Sequence, residues 1–74
     1  MEKKYEIVYR AMCAHLALYE SLSASEDTTP KLLRDTRITC QSLSRRWRTL
    51  YREAVERYGQ RDVDTMMSRV NRNF

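Results

Sequence analysis

The residues best placed to do chemistry are arginines. Arg34, Arg37, Gln41, Arg45, Arg48 and Arg52 recur at intervals of three and four, which puts them on one face of a helix. A rigid row of guanidinium groups suits phosphate or carboxylate oxygens, which accept paired hydrogen bonds. Ser44 and Thr49 add hydroxyls, and Tyr51, beside Arg48 and Arg52, offers an exposed ring for stacking. The charge is concentrated there. Residues 31–52 hold seven basic residues against Asp35 alone, whereas residues 1–29 carry three basic and five acidic residues, and from Glu53 onward four balance four. Three readings follow. The row binds nucleic acid or another phosphate-bearing ligand. It binds an acidic protein surface. Or it is a solvated face whose stems cover apolar surface and whose heads pair with the acids of the first helix.

Other chemistry finds little material. His15 is the only histidine, and no acid stands at a spacing that would orient it as a base. Glu53 and Glu56 lie among arginines and read as salt-bridge partners. With one glycine in the chain, neither a phosphate-cradling loop nor a nucleophile elbow can be built. Cys13, Cys40 and His15 are three candidate zinc ligands without the tight pair that zinc sites use. The two thiols read as small apolar residues, with a cross-helix disulfide as the alternative. No catalytic residue, metal ligand or cofactor site is therefore expected, and the chain reads as a binding protein rather than an enzyme.

The elements that carry these residues are helical. One glycine and one proline in 74 residues leave too few turn formers for a sheet. A first helix is expected over about 2–23, with apolar residues at Tyr5, Val8, Tyr9, Met12, Leu16, Tyr19 and Leu22. Ile7, Ala11, Cys13, Ala14, Ala17 and Leu18 lie outside that stripe. The helix is thus apolar around most of its circumference, more than one partner helix can cover. A polar connector spans about 24–29. Thr29–Pro30 reads as an N-cap followed by proline at the first helical position. The second helix runs to about Tyr58, with Leu33, Thr36, Cys40, Leu43, Trp47, Leu50 and Ala54 forming a heptad seam. Gly59 suits a C-terminal cap in the left-handed conformation. A third helix over about 62–72, capped by Asp62, presents Val63, Met66, Met67 and Val70. Antiparallel pairing places Leu22 near Leu33, Leu16 near Ile38, Met12 near Leu43, Val8 near Trp47 and Tyr5 near Leu50.

The fold class is then all-α: one domain, a long antiparallel helical hairpin plus a short C-terminal helix. Such a hairpin has little core of its own, and pairing two into a four-helix bundle would supply one. The expected interface is Tyr5, Tyr9, Met12, Leu16, Tyr19 and Trp47, with a homodimer as the default oligomer.

The stretch Cys40-Gln41-Ser42-Leu43, then Leu50-Tyr51-Arg52, then Arg57-Tyr58-Gly59 resembles the second helix of the plasmid Rop (RNA one modulator) family. Leu16-Ala17-Leu18-Tyr19-Glu20-Ser21-Leu22 is similar to the end of that family's first helix. The resemblance covers about half the chain, and the connector here is about six residues longer. It implies a helical hairpin that dimerises into a four-helix bundle and binds paired RNA loops. The family's RNA-contacting face lies on its first helix around a phenylalanine. The corresponding region here holds Ile7, Arg10 and Ala14, and no site residue carries over.

These readings converge on a small regulatory protein of homo-oligomeric form. It is expected to bind nucleic acid or an acidic partner through Arg34, Arg37, Arg45, Arg48, Tyr51 and Arg52. The alternative is a protein–protein inhibitor or adaptor, of the kind phages and plasmids carry as accessory proteins. No apolar run has transmembrane length, and no apolar block follows the charged first residues as in a secretory signal. Two cysteines do not make a disulfide framework, so the expected location is cytoplasmic, with no membrane partner.

Overall fold

The computed structural model describes residues Met1–Phe74. It is all-helical: α1 spans Lys3–Ala24, α2 Pro30–Tyr58 and α3 Gln60–Asn71. No helix is long and apolar enough to cross a membrane. The molecule is elongated, 43 × 22 × 15 Å, because the 29-residue α2 sets its length.

Local chemistry explains the boundaries. Ser25 closes α1 with its N–H on Leu22 O, and its hydroxyl accepts from Asp27 N to turn the connector. Thr29 starts α2, its Oγ1 accepting from Leu32 N at 3.2 Å, and Pro30 follows at a position whose N–H has no helical partner anyway. α2 ends at Gly59, as its sequence suggests, but with φ 90° and ψ 154°, an extended rather than a left-handed helical conformation. One residue therefore ends α2 and begins α3. This corrects the expected start of α3: Gly59 takes the N-cap position, Gln60 is the first helical residue, and Asp62 lies inside the first turn.

α1 and α2 run antiparallel. Glu2 N donates to Tyr58 Oη at 3.3 Å, Lys4 Nζ to Glu53 Oε1 at 3.2 Å, and the Tyr9 and Trp47 rings lie 4.9 Å apart. The register differs from that expected by one to three residues. Tyr9 rather than Val8 meets Trp47, and Tyr5 reaches past Leu50 to Glu53, where its phenol finds hydrogen-bond partners. Leu16 and Ile38, expected as a pair, both stay substantially exposed, at 41% and 54%. Ile38 is nine residues from Trp47, half a turn out of phase with the seam at 100° per residue.

The core is Tyr5, Tyr9, Trp47, Ala54, Val63, Met66 and Val70, so it sits at the end of the hairpin away from the connector. α3 folds back over that end and supplies three of the seven. Val63 and Val70 are fully buried, each worth roughly 1.5–3 kcal/mol. Tyr5, Tyr9 and Trp47, expected at an oligomer interface, are consumed inside the single chain at 0, 5 and 7% exposure. Of the expected interface set only Met12, Leu16 and Tyr19 keep appreciable surface. Toward the connector only Thr36 and Cys40 are buried. The Thr36 hydroxyl is satisfied by Leu32 O at 2.8 Å.

Candidate binding groove along the second helix

Arg34, Arg37, Arg45, Arg48 and Arg52 are all exposed. None comes within 4.0 Å of a carboxylate. The six ion pairs of the chain join Glu2, Glu6 and Glu53 to Lys4, Arg10, Arg57 and Arg69. Glu6 of α1 is thus engaged at the opposite end of the molecule, and Glu20, the other acid of α1, is exposed and forms no ion pair with the row. Glu6 of α1 and Glu53 of α2 titrate low because of their contacts. The Arg69 hydrogen bond holds the Glu6 carboxyl below its ordinary range, and the Tyr5 and Lys4 hydrogen bonds do the same for Glu53. The same contacts raise Lys4, through Glu53 first, and Arg57, through Tyr5 first.

The row borders a groove. Leu16 and Tyr19 from α1 and Cys40 from α2 form its apolar part, and Arg37, Gln41, Ser44, Arg45 and Arg48 its polar wall, around about 610 Å³. A smaller hollow continues it toward the connector between Tyr19, Pro30, Leu33, Arg34 and Arg37. Another continues it toward α3 between Ser44, Trp47, Arg48, Tyr51 and Met67. Shared residues make the three one trough: Tyr19 and Arg37 at one junction, Ser44 and Arg48 at the other. Arg52 belongs to the row but does not line the trough.

Tyr51 departs from its expected role. It is half-buried and packs edge-on against Trp47 at 5.9 Å, and its hydroxyl accepts from Gln60 Nε2 at 2.6 Å. Its ring is committed to the fold. The apolar part of the trough, chiefly Leu16, Tyr19 and Leu33, is what sequence reasoning assigned elsewhere, as seam or oligomer interface. A signal was present: α3 is 12 residues long against 29 for α2, so it covers less than half of the hairpin.

Little else gathers. Cys13 and Cys40 are free thiols, and no three His, Cys, Asp or Glu side chains come together as metal ligands. His15 Nδ1 donates to Ala11 O at 2.8 Å, which ties the ring to its own helix. No protein-family model, curated protein or solved structure matches this chain.

Proposed function

We propose that this chain is a small, non-enzymatic regulatory binding protein that takes an anionic macromolecule along the arginine row of α2. The observation that carries the reading is the lack of any internal partner for Arg34, Arg37, Arg45, Arg48 and Arg52, while every ion pair of the chain lies elsewhere. Five uncompensated guanidinium groups on one rigid helix repel each other, and an external anion relieves that repulsion. Nucleic acid is the partner that the row by itself suits best. The apolar part of the trough favours a second reading, an acidic protein segment, whose capture would make the chain a stoichiometric inhibitor or adaptor of the phage or plasmid accessory kind.

The working unit in this proposal is a homodimer. α1 leaves Ile7 and Leu18 exposed at 61 and 47% after α2 and α3 have packed. A helix apolar on its outer side is normally covered. The Rop-like stretches fit a hairpin that pairs with a second copy. Light scattering at micromolar concentration should give twice the 8.9 kDa chain mass, and a monomer mass removes the dimer from the proposal.

Binding is tested with salt and charge reversal. If five phosphates of a duplex are neutralised, affinity falls about 500-fold between 50 and 200 mM salt. Arg45→Glu with Arg48→Glu should abolish binding and leave the helical circular dichroism unchanged. Wild-type binding by that double variant would show that the row is not the site.

A further inference from the structure

The trough beside the arginine row is the unfilled continuation of the seat that α3 occupies. At the far end of the hairpin α3 buries Val63, Met66 and Val70 against α1 and α2, with Met67 packed beside them. These positions follow the i, i+3, i+4, i+7 pattern of one helix face. Met67 also forms the end wall of the trough, next to Trp47 and Tyr51. Beyond that wall the same hairpin face runs on empty to Pro30. From Arg48 to Pro30 this is about 27 Å at 1.5 Å per residue, the length of a helix of about 18 residues.

We propose that the empty stretch takes an amphipathic α-helix of a partner protein, with its apolar stripe on Leu16, Tyr19 and Leu33 and an Asp/Glu-bearing flank against Arg37, Arg45 and Arg48. The inference rests on the anionic-partner reading and names the partner. Charge complementarity fixes the acidic flank. The apolar contacts call for side chains that a phosphate backbone lacks, and they leave helix-sized space where two antiparallel helices already hold a third. α3 is held with the same chemistry, an apolar stripe plus a flanking ion pair, Glu6 with Arg69. At the α3 end bases would find little platform, since the Trp47 and Tyr51 rings pack on each other and the Tyr51 hydroxyl is occupied, which leaves Tyr19 as the one unstacked ring along the trough.

The test uses the whole chain and three labelled probes. The first is a peptide of about 18 residues with leucines at i, i+3, i+4 and i+7 and glutamates on both flanks. The second is its scramble of identical composition, and the third an oligothymidylate of about 20 nucleotides. The ordered peptide should bind at least about tenfold tighter than the scramble. Leu16→Lys should weaken it about tenfold, because an apolar contact is lost, while leaving oligothymidylate binding unchanged or tighter. Nitrogen–proton correlation spectra of the wild-type protein should shift at Leu16, Tyr19, Gln41 and Ser44 on peptide addition, a readout independent of any variant's folding. Equal binding of peptide and scramble overturns the helix inference. So does a peptide affinity indifferent to Leu16→Lys, or oligothymidylate as the tightest probe. Those results leave the anionic-partner reading standing as long as Arg45→Glu with Arg48→Glu still weakens the anionic probes. If that double variant changes nothing for any probe, the anionic-partner reading itself fails.

Discussion

Tyr9 donates its hydroxyl to Asn71 Oδ1 at 2.8 Å, across 62 residues of sequence, and so fastens the last turn of α3 to the middle of α1. Cys13 Sγ approaches the same oxygen at 3.7 Å. Burial pushes the Tyr9 phenol up, the Cys13 contact adds to this, and the Asn71 bond opposes it. Tyr9→Phe keeps the ring against Trp47 and loses the bond. It should destabilise the fold by about 1 kcal/mol in urea unfolding. Asn71→Ala should do the same, and the double variant should cost less than the two single changes added together, because they remove one shared interaction. Full additivity would mean that the bond does not hold α3 in place.

Acid should loosen the junctions of α1 with α2 and α3. Glu6 and Glu53 both titrate below their ordinary value of 4.5 in the folded chain, through Arg69 for the first and through Tyr5 and Lys4 for the second. A carboxyl whose pKa is depressed on folding adds stability above its unfolded pKa and loses it as pH falls through the folded one. The melting temperature should therefore hold at about pH 6 and drop from about pH 4.5 downward. Glu6→Gln with Glu53→Gln should flatten that profile by lowering its neutral-pH end. A double variant with the wild-type slope would place the acid sensitivity in other groups.

Gly59 is the hinge between α2 and α3, and its φ of 90° with ψ of 154° falls in a region that only glycine occupies readily. A Cβ there would meet nothing within 4 Å, so the penalty is a backbone one. Gly59→Ala should cost about 1–3 kcal/mol, and amide exchange should accelerate in α3 more than in α2. Uniform acceleration along all three helices would mean that α3 does not open as a separate unit.

What was legible in the sequence depended on how local its cause is. Pro30–Tyr58 is readable to the residue because a threonine cap, a proline and a glycine mark its ends, each acting within four residues of itself. The heptad seam is readable for the same reason, and Thr36, Cys40, Trp47 and Ala54 are its buried members. Register was not readable. A three-four repeat tolerates sliding by one to three residues, and the choice is made by Tyr5 reaching Glu53 and Arg57 with its hydroxyl, a polar contact across about 50 residues. The arginine row was visible as a pattern. Its lack of partners was not, since that depends on where Glu2, Glu6 and Glu53 find theirs.

The row should be a burden on stability that a single charge reversal relieves. Arg48 stands four residues before Arg52 and three after Arg45, so it has like charge on both sides along the helix and no carboxylate within 4.0 Å. Like-charge pairs at these spacings each destabilise a helix by about 0.2–0.5 kcal/mol, and opposite charges stabilise it by a similar amount. Arg48→Glu exchanges repulsion for attraction at both neighbours, and a glutamate preceding an arginine by four also has the favourable orientation relative to the helix dipole. The variant should melt a few degrees higher than the wild type in dilute buffer. The gain should shrink as salt rises, because all the groups are exposed. The same variant should bind anionic probes less tightly. A residue that lowers stability and raises affinity is placed for an external partner, since the fold by itself prefers the opposite charge. A lower melting temperature for Arg48→Glu would instead assign the guanidinium a structural contact within the chain and remove it from the groove.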